Sequence, residues 1–170
     1  MAMFIKNRSS KIIHSWCMYD WANSAFAATI MAAVLPSFYS SVAGANLEKT
    51  IASSYWGYTN TIAMLIIAFS APILGAIADH LGRRKVFLSW FVCTGVLATA
   101  LMVLISKGDW LLASTLYIFG RIGFAGANIF YNSLLPHIVD KDRIDRVSAL
   151  GYAYGYLGGG LLLTINLLMI

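Results

Sequence analysis

Gly75-Ala76-Ile77-Ala78-Asp79-His80-Leu81-Gly82-Arg83-Arg84-Lys85 closes one apolar run, residues 55–78, and leads into another, residues 86–105. Each run reaches the roughly 20 residues that a helix needs to cross the hydrocarbon layer of a bilayer. Three adjacent cations occupy the short link. Lys and Arg are retained on the cytoplasmic side during insertion, so this link faces the cytoplasm. Gly82 permits a tight turn. Asp79 lies at the end of the second span and ahead of the third. Carboxylates favour helix N-termini, so span three or a neighbouring helix is placed to receive it. A plain positively charged loop accounts for the cations but not for the aspartate or the glycine spacing.

The pattern repeats outward from this link. Of the 12 Lys and Arg residues, all but Arg121 fall in polar gaps, and the gaps alternate between rich and poor. Lys6, Arg8 and Lys11 come first, then Lys49 alone. After Arg83, Arg84 and Lys85 comes Lys107 alone, then Lys141, Arg143 and Arg146. This alternation predicts a cytoplasmic N-terminal segment, 1–15, and five spans at about 16–40, 55–78, 86–105, 110–135 and 147–170. The chain is 59% hydrophobic and 11% charged with a mean hydropathy of +0.73, too apolar for a soluble domain of 170 residues. Trp16, Trp21, Trp56, Trp90 and Trp110 all lie near span ends, where indole rings favour the interface. The expected fold is an all-α, polytopic transmembrane helical bundle with its N-terminus in the cytoplasm.

Several other classes are excluded. The net charge of +5 is split among short loops rather than gathered on one face, which argues against a nucleic-acid partner and for anionic membrane lipid. The first run exceeds the h-region of a signal peptide and contains Asp20, Asn23 and Pro36. It therefore reads as an uncleaved span, although Ala43-Gly44-Ala45 resembles a cleavage site. Cys17 and Cys93 lie near cytoplasmic span ends, where thiols stay reduced. His14, His80 and His137 lack metal-ligand spacing, so no metal or cofactor is expected. No H-E-x-x-H or G-x-S-x-G occurs, and no second embedded acid pairs with Asp20, so an enzyme is not expected. The closing apolar run, 161–170, has no flanking charge, which reads as the first portion of a longer protein.

Embedded polar residues supply the candidate site. Asp20, Asn23, Ser24 and Ala27 share one face of span one by their i, i+3, i+4, i+7 spacing. A carboxylate there is either a proton or cation site or an anchor that reaches back to the headgroups. Span four carries Arg121 eleven residues past Trp110, about 16 Å into the span and near its midplane. Ala125, Asn128 and Asn132 continue its face toward the cytoplasm. The expectation is that this face and the Asp20 face line a shared cavity, the alternative being a structural arginine bonded to helix carbonyls. Span five presents Gly151, Gly155 and Gly159 at intervals of four, with Gly158 and Gly160 beside them. Such a stripe permits close helix packing, and it also suits a hinge or sliding surface.

Gly75, Asp79, Gly82, Arg83 and Arg84 resemble the loop signature found between the second and third helices of major facilitator superfamily transporters. Arg121 with Gly123, Ala125 and Gly126 resembles the fourth-helix motif of that superfamily. Gly151-Tyr152-Ala153-Tyr154-Gly155-Tyr156-Leu157-Gly158-Gly159 resembles its fifth-helix motif, with Tyr156 where a proline is usual, and that departure weakens an inference of antiport. Three further segments resemble the vacuole effluxer branch, the autophagy-linked amino-acid exporters of fungal vacuoles and their bacterial relatives. They are residues 19–26, 130–136 and 147–152, reading YDWANSAF, FYNSLLP and VSALGY.

The resemblance implies twelve helices in two halves, of which this chain supplies the first five, and a secondary transporter working by alternating access about a midplane site. It implies that Asp79 contacts the C-terminal half, absent from this chain, and helps close the cytoplasmic side. Small polar solutes, amino acids at the family level, are the implied cargo. Arg121 suits a carboxylate, and Asp20 suits a coupling proton. The implied location is a membrane, a bacterial inner membrane being the expectation. The rival reading is a truncated, non-transporting membrane protein that acts in assembly or self-associates through the Gly151–Gly159 stripe.

Overall fold

The computed structural model describes residues 2–80 and 82–169, with side chains from residue 10 onward. The side chains of Lys6 and Arg8, and Ile170 at the end of the expected fifth span, lie outside the described residues. Helix accounts for 91% of the structure, and no strand occurs among the described residues, so the all-α expectation holds.

The helices are α1 (Ala2–Ala25), α2 (Leu35–Phe38), α3 (Lys49–His80), α4 (Arg84–Leu101), α5 (Trp110–Ile138) and α6 (Ile144–Met169). The first is longer than the sequence suggested. No glycine or proline interrupts residues 2–25, so the helix runs through the expected N-terminal segment into the span. Beyond it the chain widens into π-helix over Phe26–Val34 and again over Tyr39–Ala43, on either side of α2. Pro36 lies in α2 and explains the first widening. A proline ring collides with the carbonyl four residues back. Here the turn ahead is opened to a five-residue register, with the Leu35 amide donating to the Ile30 carbonyl.

Among the described residues, four stretches are long and apolar enough to cross a membrane: Ser10–Ala43, Lys49–His80, Arg84–Leu104 and Trp110–Ile138. The expected fifth span corresponds to α6. Its 26 residues span about 39 Å and suffice in length, but its glycines and tyrosines dilute its hydropathy. Large apolar side chains such as Phe69, Ile73, Val103 and Leu168 are exposed, as lipid-facing residues of a membrane protein are.

The chain divides into two units, Met1–Leu35 with Leu134–Ile170, and Pro36–Ser133. The first unit is dominated by packing of α1 on α6. The second contains α3, α4 and most of α5. Its core gathers Tyr39, Ala43, Ile105, Ala113 and Leu116, with Tyr55, Trp56 and Trp110 against them. Two glycines adopt left-handed backbone. Gly82 has φ +60 in the turn before α4, as its place in the cationic link requires, and Gly108 has φ +93 in the turn before α5. At that second turn the Ser106 amide donates to the Asp109 carboxylate at 2.9 Å, and the Ala113 amide donates to the Asp109 carbonyl at 3.0 Å. Asp109 thus anchors the start of α5 and with it the register of every residue below.

Candidate functional site

In the first unit the glycine stripe of α6 meets the polar face of α1. Gly151 lies against the Trp16 indole, and Gly158 against the Trp21 carbonyl oxygen and ring. Gly159 faces the Ser24 carbonyl and the Ala28 methyl. Gly155 receives Asp20 and Ser24. A Cβ at Gly155 would lie 2.6 Å from Ser24 Oγ and 2.9 Å from Asp20 Oδ2, so both oxygens converge on one bare patch of α6 backbone. Tyr154 flanks the patch, edge-on to both Trp21 and His14. The stripe is therefore a packing surface already filled by the chain's own first span. Glycine supplies the closeness that van der Waals packing between membrane helices depends on. Asp20 and Asn23 are half-buried.

In the second unit Arg121 is half-buried on α5. Its Nη1 donates to Tyr117 Oη at 3.2 Å, one turn back on the same helix. Tyr117 Oη donates to Asn60 Oδ1 on α3 at 2.6 Å. Asn60 Nδ2 donates to the Trp56 carbonyl at 2.9 Å. Donors and acceptors thus run in one direction, from the guanidinium to a backbone carbonyl. Each bond polarises the next in a site of low dielectric. The Trp56 ring leans on Tyr117 with centroids 4.6 Å apart and on Tyr39 at 5.1 Å. Ser114 Oγ lies 2.8 Å from both Tyr39 Oη and Thr59 Oγ1, so a second buried polar contact ties α3, α5 and the end of the first span together.

Below Arg121, the α5 glycines serve packing. A Cβ at Gly123 would lie 2.5 Å from the Gly95 amide nitrogen and 2.8 Å from the Phe91 carbonyl of α4, and Gly126 lies beneath the Phe91 ring. Phe130 stacks on Phe87 and Phe91 at 5.1 and 5.8 Å. Asn128 is half-buried and Asn132 exposed. In the cationic link Asp79 is exposed in the last turn of α3, Gly75 is half-buried one turn earlier, and Arg83 precedes α4 while Arg84 opens it. Sequence reasoning found Arg121 but missed Tyr117 and Asn60. Tyr117 was accessible through its i, i+4 relation to Arg121. Asn60 was accessible only as an amide inside an apolar run, a signal that does not say which helix it meets.

A family described as "Vacuole effluxer Atg22 like" matches residues 45–144. That segment holds the cationic link, Asn60, Tyr117, Arg121, Asn128 and Asn132. This chain belongs to the Atg22-like vacuole effluxer family. Among curated relatives, "Uncharacterized MFS-type transporter YxiO" of Bacillus subtilis (strain 168) is 40% identical over 164 residues, 96% of this chain and 38% of its own length. "Autophagy-related protein 22" of Coccidioides immitis (strain RS) is 34% identical over 90 residues, 53% of this chain and 15% of its own. "Autophagy-related protein 22-1" of Phaeosphaeria nodorum is 34% identical over 94 residues, 55% of this chain and 17% of its own. The chain thus spans less than two fifths of the length of these relatives. No solved structure matches it.

Proposed function

We propose that this chain is the N-terminal portion of a secondary active transporter that moves small polar solutes bearing a carboxylate, amino acids foremost, by alternating access. The observation that carries the reading is Arg121. A guanidinium in the interior of an apolar span is costly and is kept where it meets a substrate or ion. Its planar donors match a carboxylate, and the Tyr117–Asn60 chain holds it in place. Asp20 is the candidate for a coupling proton, because its carboxylate lies within the span, in the tight seam of α1 on α6 beside Ser24. Asn23, Asn128 and Asn132 are candidate hydrogen-bonding groups for the solute. Gly75, Asp79, Gly82, Arg83 and Arg84 form the cytoplasmic closure element, with a C-terminal half as their partner.

The relative from Bacillus carries a transporter name, which supports transport over catalysis and a bacterial inner membrane as the location. The filled glycine stripe favours this reading over self-association through that face.

The test is flux of radiolabelled L-amino acids into proteoliposomes holding the full-length protein. Arg121→Ala is expected to reduce flux at least tenfold and Arg121→Lys to recover only part of it, because lysine lacks the planar fork. Wild-type flux in Arg121→Ala would remove Arg121 from the substrate path.

A further inference from the structure

We infer that Tyr117, oriented by Asn60, is a positioning residue that aims Arg121 at the solute and thereby sets affinity for it. The inference rests on the reading of Arg121 as the carboxylate partner, and it assigns a second layer to that site.

The geometry leaves Tyr117 one role. Its hydroxyl has a single proton, and the 2.6 Å bond to Asn60 Oδ1 commits that proton to α3. Toward Arg121 the oxygen then offers only lone pairs, so it is an obligatory acceptor for Nη1. Asn60 cannot reverse this polarity cheaply. Its Nδ2 is bound to the Trp56 carbonyl at 2.9 Å, so turning the amide over would set two donors against Tyr117 and its oxygen against a carbonyl. The phenol ring is 2% exposed and lies against Trp56, so it cannot swing away. A free arginine side chain samples many rotamers, and ordering it on binding weakens the complex. Here that ordering is supplied beforehand by a neutral acceptor. A carboxylate in the place of Tyr117 would also hold the guanidinium, but it would neutralise the charge that the solute needs. A phenol holds it and adds no negative charge of its own.

The experiment compares the full-length wild type with Tyr117→Phe, Asn60→Leu and the double variant, using radiolabelled L-amino acids in proteoliposomes. Tyr117→Phe keeps the ring on Trp56 and removes only the oxygen. It is expected to raise KM roughly tenfold with kcat within about twofold and an unchanged unfolding temperature. The double variant is expected to be no worse than Tyr117→Phe alone, since both break one chain. A wild-type KM in Tyr117→Phe, alongside loss of flux in Arg121→Ala, would overturn this inference and leave the transport reading standing.

A second readout is independent of flux. Phenylglyoxal modification of Arg121, measured by peptide mass against Arg146 as an internal reference, is expected to rise several-fold in Tyr117→Phe. Equal rates in the two proteins would overturn the inference whether or not any amino acid is carried. Absence of amino-acid flux in the wild type with a raised Arg121 rate would refute the transport reading alone.

Discussion

Adding one carbon to Gly158 would place it 2.5 Å from the Trp21 carbonyl oxygen, a backbone atom that cannot rotate aside. The same carbon on Gly155 would meet side-chain oxygens of Ser24 and Asp20, which can turn, and on Gly160 it would meet nothing within 4 Å. The three neighbours therefore respond differently. Gly158→Ala is expected to cost about 1–3 kcal/mol, Gly160→Ala less than about 0.5 kcal/mol, and Gly155→Ala an intermediate amount. Ser24→Ala is expected to recover part of the Gly155→Ala loss by removing the nearer oxygen. Thermal unfolding in detergent measures all four, and equal losses at 155, 158 and 160 would refute the seam. The four-residue spacing revealed the stripe in the sequence. Its partner was not legible, because spacing on one helix carries no information about which other helix fills it.

At the level of elements, α4 and α5 approach through two glycines with unlike constraints. A Cβ at Gly123 would meet backbone of Gly95 and Phe91, whereas the three atoms nearest a Cβ at Gly126 all belong to the Phe91 ring. Gly126→Ala is thus expected to be rescued by Phe91→Ala and Gly123→Ala to resist that rescue, read as unfolding temperature in the single and double variants. Rescue of both would mean that the helices part as rigid rods rather than pack atom on atom. In the sequence Gly123 and Gly126 differ only in position, and their unlike constraints come from α4, its backbone at Gly123 and the Phe91 ring at Gly126. The π-helical stretches of the first span were likewise illegible. Pro36 signals a disturbed ladder, but a kink, a break and a widened turn all answer that signal.

For the whole molecule, the cation pattern makes a topological prediction. In a background of Cys17→Ser and Cys93→Ser, K49C and K107C are expected to react with a membrane-impermeant thiol reagent applied outside, and K85C and K141C only after permeabilisation. Reaction of K85C from outside would invert the assignment. The class of fold was legible because bilayer thickness dictates span length and charge dictates orientation, and both act on composition alone. Of the candidate site, Arg121 was legible outright and Tyr117 only through its place one turn before it. Arg121 stands out against an apolar background, whereas Tyr117 and Asn60 are joined across 57 residues of sequence.

The indole of Trp56 touches the phenol that carries Arg121. Any cargo that draws the guanidinium away from that phenol alters the surroundings of a fluorophore already in place. On the role proposed for Arg121, a variant that keeps Trp56 as its single tryptophan is expected to report occupancy there by ultraviolet emission, without an attached dye.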